Sequence, residues 1–105
     1  MDKRKLKKYE SQARIMKTLA HSTRLFIVNE LAKNELSVNE ITAMVGVDIS
    51  TISRHLALLR NVGIINDEKR GKSVYYSLKI PCVLNFFNCI EEVQKSSYKA
   101  QMNTE

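Results

Sequence analysis

The tightest constraint on this chain lies between residues 37 and 63, where two amphipathic helices are separated by only two or three residues. Ser37-Val38-Asn39-Glu40 has the Ser-x-x-Glu form of a capping box, in which the hydroxyl takes up an orphan amide and the Glu reaches back to the cap. A helix therefore starts at Val38. Ile41, Met44 and Val45 supply its expected buried side, and Gly46 suits the left-handed position just past a helix end. Asp48 then caps a following helix that carries Ile52, Leu56 and Leu59 on one face until Gly63 stops it. Helices joined this tightly cross steeply and hold the second one outward, which is the helix-turn-helix arrangement.

The flanking segments supply the remaining elements. Tyr9, Ala13, Ile15, Met16 and Leu19 recur at helical spacing with no Gly or Pro, predicting a first helix over residues 5–19. Ser22 is the expected cap of a short second helix with Leu25, Ile27, Val28 and Leu31 on its buried stripe, ending near Asn34. After Gly63, Ile64-Ile65 reads as a short strand, residues 67–72 as a polar turn, and residues 73–78 (SVYYSL) as a second strand rich in β-branched and aromatic side chains. Lys79-Ile80-Pro81 opens a last helix over residues 81–97, with Pro in the first turn, where its missing amide costs nothing, and with Val83, Leu84, Phe86, Phe87, Ile90 and Val93 along it. The expected fold is mainly α with a small β-hairpin: a winged helix-turn-helix of five helices and a two-stranded wing. One domain spans residues 1–97, since 105 residues support a single core, and a tail at 98–105, poor in apolar residues, is expected to fray. No window approaches the roughly 20 apolar residues of a membrane span, so the expectation is a cytoplasmic protein with no membrane partner.

Charge and side-chain chemistry narrow the function. Lys and Arg number 17 against 11 Asp and Glu, a formal charge of +6 that favours a polyanionic partner such as nucleic acid. Enzyme chemistry is disfavoured, because two histidines and scattered acids assemble no catalytic triad, phosphate loop, paired carboxylates or metal cluster. The helix opening after Asp48 instead presents Ser50, Thr51, Ser53 and Arg54 on its first turns, away from its apolar stripe. Such groups suit the amino end of a recognition helix in the major groove of double-stranded DNA, where a guanidinium can pair with the acceptors of guanine. Lys69, Arg70 and Lys72, at the hairpin tip around Gly71, suit contact with the flanking backbone or minor groove. A winged helix that binds protein instead of DNA is the competing reading.

These segments resemble the ArsR/SmtB family of winged helix-turn-helix transcriptional repressors. The resemblance is carried by Leu19-Ala20-His21-Ser22-Thr23-Arg24-Leu25, by Glu35-Leu36-Ser37-Val38-Asn39-Glu40-Ile41, by Ser50-Thr51-Ile52-Ser53-Arg54-His55-Leu56, and by Arg70-Gly71-Lys72 followed by Tyr75-Tyr76, in order over residues 8–97. It implies a homodimer built from the first and fifth helices, reading a pseudo-palindromic operator as a repressor released by its inducer, with no cofactor required. The sensor sites of the best-known branches are not matched. Ser37 and Asn39 stand where the arsenic and cadmium branch has Cys-x-Cys, and the last helix lacks the histidines of the zinc and nickel branch. His21 and His55 suit capping or structural roles.

Two thiols remain, Cys82 and Cys89, seven residues apart and so on roughly one face of the last helix. At 1.5 Å per residue their Cα atoms lie about 10 Å apart, beyond the usual ~7 Å limit for a disulfide within one helix. In an antiparallel pair of such helices, Cys82 of one copy approaches Cys89 of the other. That pair can take As(III) or another soft metal ion as inducer, or respond to an oxidant or persulfide by closing an inter-subunit disulfide. A first-turn position for Cys82 would favour a reactive thiolate. The alternatives are that both cysteines are small apolar fillers of the interface, leaving a repressor with no metal or redox sensing.

Overall fold

The computed structural model describes residues 1–103, with side chains through Tyr98. Five helices, α1 (Lys3–Leu19), α2 (Ser22–Lys33), α3 (Val38–Val45), α4 (Ile49–Asn61) and α5 (Val83–Asn103), surround a small sheet of β1 (Leu36–Ser37), β2 (Ile65–Arg70) and β3 (Ser73–Leu78). The winged helix-turn-helix architecture expected from the sequence is present, with one strand more than expected. Leu36 and Ser37 pair antiparallel with Tyr76 and Tyr75, so the sheet order is β1-β3-β2. Two residues carry no alternation that marks a strand; β1 exists through its pairing with β3, leading into the capping box.

Local chemistry ends the helices largely where expected. The capping box is complete: the Glu40 amide donates to the Ser37 hydroxyl at 3.1 Å and the Ser37 amide to the Glu40 carboxylate at 3.0 Å. Gly46 adopts φ 83°, a left-handed conformation that a side chain would strain, and so lets α4 start with only three residues between it and the end of α3. α2 differs from expectation in its cap. Ser22 is already helical, and the preceding His21 caps the helix, its Nδ1 accepting from the Thr23 amide at 3.1 Å.

The core is one cluster formed by Leu19 of α1, Ile27, Val28 and Leu31 of α2, Ile41 of α3, Ile52, Leu56 and Leu59 of α4, Ile64, Ile65 and Tyr76 of the hairpin, and Val83 of α5. Leu25 and Met44, expected inside, are exposed, as are Tyr9 and Met16 on α1 and Phe86, Ile90 and Val93 on α5. Met16, Leu25, Phe86 and Ile90 belong to a second apolar surface. Met16, Leu19, Leu25, Phe86, Phe87 and Ile90 line a groove of about 460 Å³ between α1, α2 and α5.

The wing is longer and its turn tighter than the sequence suggests. Asp67, Glu68, Lys69 and Arg70, read as turn, pair with Tyr76, Tyr75, Val74 and Ser73, leaving only Gly71 and Lys72 in the loop. Polar residues are tolerated there because β2 is solvent-exposed beyond Ile65. At the other end of the hairpin, α5 begins at Val83, so Pro81 and Cys82 lie in the turn before it and not in its first turn as expected. α5 continues to Asn103, beyond the expected end at residue 97, and residues 104–105 of the 98–105 tail lie outside the described residues.

Two substitutions separate these contributions to stability. Ser37→Ala removes one half of the capping box and is expected to cost about 1 kcal/mol. Leu56→Ala opens a cavity at a fully buried position and is expected to cost about 2–5 kcal/mol. Urea unfolding followed by circular dichroism reads both, and a Leu56 variant no weaker than the Ser37 variant would contradict this placement of the core.

Candidate nucleic-acid interface

α4 is amphipathic in a way that sets its outer face. With Ile52, Leu56 and Leu59 buried, the helical period turns Ser50, Ser53 and Arg54 to solvent and leaves Thr51 half-buried. The Asp48 cap organises the amino end: its carboxylate accepts from the Thr51 amide at 3.1 Å, from the Thr51 hydroxyl at 2.7 Å, and from the Ser50 hydroxyl. The Ser50 hydroxyl, then the Thr51 hydroxyl and amide, hold the Asp48 carboxyl at about 2, so it is charged at neutral pH. The hydroxyl protons of Ser50 and Thr51 are thus committed within the chain, and outward these residues offer oxygen lone pairs. Ser53 and Arg54 have no side-chain hydrogen bond or ion pair among the described residues, and both are exposed.

The wing tip divides its three cations between two tasks. Lys69 and Lys72 are exposed. Arg70 is tied back, bonded to Glu68 at 2.9 Å and to Glu35 ahead of β1, with its guanidinium 5.0 Å from the centre of the Tyr75 ring. The hydrogen bond from Arg70, and then its charge, lower the Glu68 carboxyl below its usual range. Arg70 therefore braces the ribbon, while the two lysines extend from it. Arg60 near the end of α4 reaches Asp67 of β2 at 2.9 Å, linking the helix to the base of the wing. The chain segment that follows α4 is thereby held beside it.

A cluster behind α4 was not foreseen from sequence. Arg24 of α2 donates from Nε to His55 Nδ1 at 3.0 Å and from Nη1 to the Thr18 carbonyl at 3.1 Å, and the His21 and His55 rings lie 4.6 Å apart. No local signal marks it, because Arg24 and His55 are 31 residues apart in sequence.

Cys82 and Cys89 are both exposed free thiols. Among the described residues no three His, Cys, Asp or Glu side chains converge as metal ligands within one chain. No described helix is long and apolar enough to cross a membrane.

Residues 21–67, from the cap of α2 into the wing, match the family described as bacterial regulatory protein, arsR family. The transcriptional repressor PagR of Bacillus anthracis is 35% identical over 86 residues, which cover 81% of this chain and 86% of that protein. The transcriptional activator HlyU of Vibrio cholerae is 39% identical over 64 residues, 61% of this chain and 59% of that relative's length. Among solved structures, the homodimeric winged helix-turn-helix DNA-binding domain of Mb0332 from Mycobacterium bovis superposes with a TM-score of 0.80 at 27% identity, covering 95% of this chain and 93% of that one. A match that takes in the tight-turn helix pair, together with a relative of similar span and a shared architecture, places this chain in the ArsR family of bacterial regulatory proteins, which are DNA-binding transcriptional regulators and not enzymes.

Proposed function

We propose that two copies of this chain bind a pseudo-palindromic duplex operator and repress transcription until a thiol-directed inducer releases them. The observation that carries this reading is the polar outer face of α4, backed by a fully buried stripe and flanked by the braced wing. In it, Ser53 and Arg54 read base edges in the major groove, Ser50 and Thr51 accept hydrogen bonds there, and Lys69 and Lys72 meet phosphate while Arg70 stiffens the ribbon. Dimerisation through α1 and α5 is supported by their exposed apolar side chains, Leu6, Tyr9 and Met16 on one and Phe86, Ile90 and Val93 on the other. The homodimeric state described for Mb0332 supports a two-copy assembly. Repression follows PagR; the activator HlyU marks the alternative outcome.

The inducer reading rests on Cys82 and Cys89. Both thiols are solvent-exposed instead of packed in the core of one subunit, which leaves them open to reagents. With too few ligands in one chain, a soft ion such as As(III) would be shared by Cys82 of one copy and Cys89 of the other. An oxidant would instead take two electrons from the two thiols and release two protons as the disulfide forms. Either event ties the start of one α5 to its two-fold mate.

Gel shifts at graded salt on duplex DNA test the first part. Arg54→Ala is expected to lose about 1–3 kcal/mol of discrimination between operator and scrambled duplex. Lys72→Ala should weaken both alike and reduce the salt slope by about 1. Normal discrimination by the Arg54 variant removes that residue from the reading face. For induction, Cys82→Ser is expected to leave operator binding intact and abolish release by arsenite, cadmium or peroxide. A Cys82 variant that still responds to every inducer of the native protein would leave the two thiols a packing role alone.

A further inference from the structure

The Arg24 and His55 pair joins three elements at the back of α4, and this inference rests on the reading of α4 as the recognition helix. We propose that Arg24 is a positioning residue for DNA recognition: by donating to the His55 ring on α4 and to the Thr18 carbonyl at the end of α1, it sets the recognition helix relative to the α1–α2 junction. The arrangement is specific to a guanidinium. Nε and Nη1 point in different directions from one rigid plane and reach acceptors on two elements at 3.0 and 3.1 Å, which a single ammonium does not reproduce. His55 lies one residue after Arg54, so a shift of its ring moves the side chains that face the groove.

The bond also dictates a protonation state. His55 Nδ1 accepts, so its proton resides on Nε2 and the ring is neutral. A second proton on Nδ1 would remove the acceptor and set a cation against Arg24 on α2, His21 at the α1–α2 junction and Arg54 on α4 itself. Burial, followed by the charges of His21, Arg24 and Arg54, keeps His55 below the ordinary histidine value of 6.5. The neutral, bonded form therefore persists above that value and is lost as the pH falls below it through the lowered one. Sequence discrimination is expected to decline with it, against the general trend in which acid adds positive charge and strengthens contact with DNA.

The test uses the full-length chain and a duplex selected by the wild-type protein from a random-sequence library, with a scrambled duplex of equal length as reference. Arg24→Lys is expected to lower the ratio of specific to non-specific affinity by about tenfold, keeping the charge, while circular dichroism shows it folded. His55→Asn places an amide oxygen where Nδ1 accepts, so it should retain the wild-type ratio at pH 7.5 yet lose the decline that wild type shows as acid protonates the His55 ring. Nitrogen-detected NMR of the free protein should find the His55 proton on Nε2. A wild-type ratio in Arg24→Lys, an unchanged pH profile in His55→Asn, or a proton on Nδ1 at neutral pH would each overturn the assignment. Arg54→Ala run in parallel separates the two failures. Loss of discrimination there but not in Arg24→Lys refutes the positioning role alone, whereas full discrimination in Arg54→Ala refutes the recognition-helix reading and this inference with it.

Discussion

Burial of one stripe of α4 governs the rest of the molecule. Ile52, Leu56 and Leu59 are sealed from solvent, and each such side chain contributes about 1.5–3 kcal/mol when fully buried. Because the helical period is fixed, this burial decides which residues of α4 stand outside. Ser53 and Arg54 are exposed as a consequence of where their neighbours are anchored. The same core continues past Gly63 into Ile64 and Ile65, which are buried immediately after the helix ends, and the Lys79 amide closes on the Ile64 carbonyl at 2.9 Å. The wing is therefore rooted in the core that holds α4.

Charged groups fall into two populations with different physical roles. Arg24, Arg60 and Arg70 are engaged with partners of the same chain, a histidine and a carbonyl, an aspartate, and two glutamates respectively. These exposed or half-exposed bonds add little stability individually, but each joins elements that sequence separates. Arg54, Lys69 and Lys72 enter no ion pair among the described residues. Arginine predominates where a planar fork must meet fixed acceptors, whereas the two wing lysines, flexible point charges, extend into solvent.

The apolar side chains likewise serve two surfaces. The central cluster closes one subunit, while the groove between α1, α2 and α5 leaves Met16, Leu25, Phe86 and Ile90 open to solvent. A helical stripe in the sequence marks burial without saying in which interface. That ambiguity explains why Leu25 read as core and emerged on the second surface, close to the face proposed to meet another copy.

How much was legible follows from the range of each interaction. The capping box at Ser37 and Glu40, the left-handed Gly46, the Asp48 cap and the apolar stripe of α4 act over a few residues, so the amino-acid order alone determined the tight helix pair and the polar face of the second helix. The winged architecture was legible for the same reason. Tertiary structure alone decided the third strand, the long wing with its two-residue turn, the bracing of Arg70 and the displacement of Cys82 from α5 into the preceding turn. It alone brought Arg24 to His55. Those features depend on surfaces that meet only after the local elements have docked, and no spacing along the chain records such a meeting.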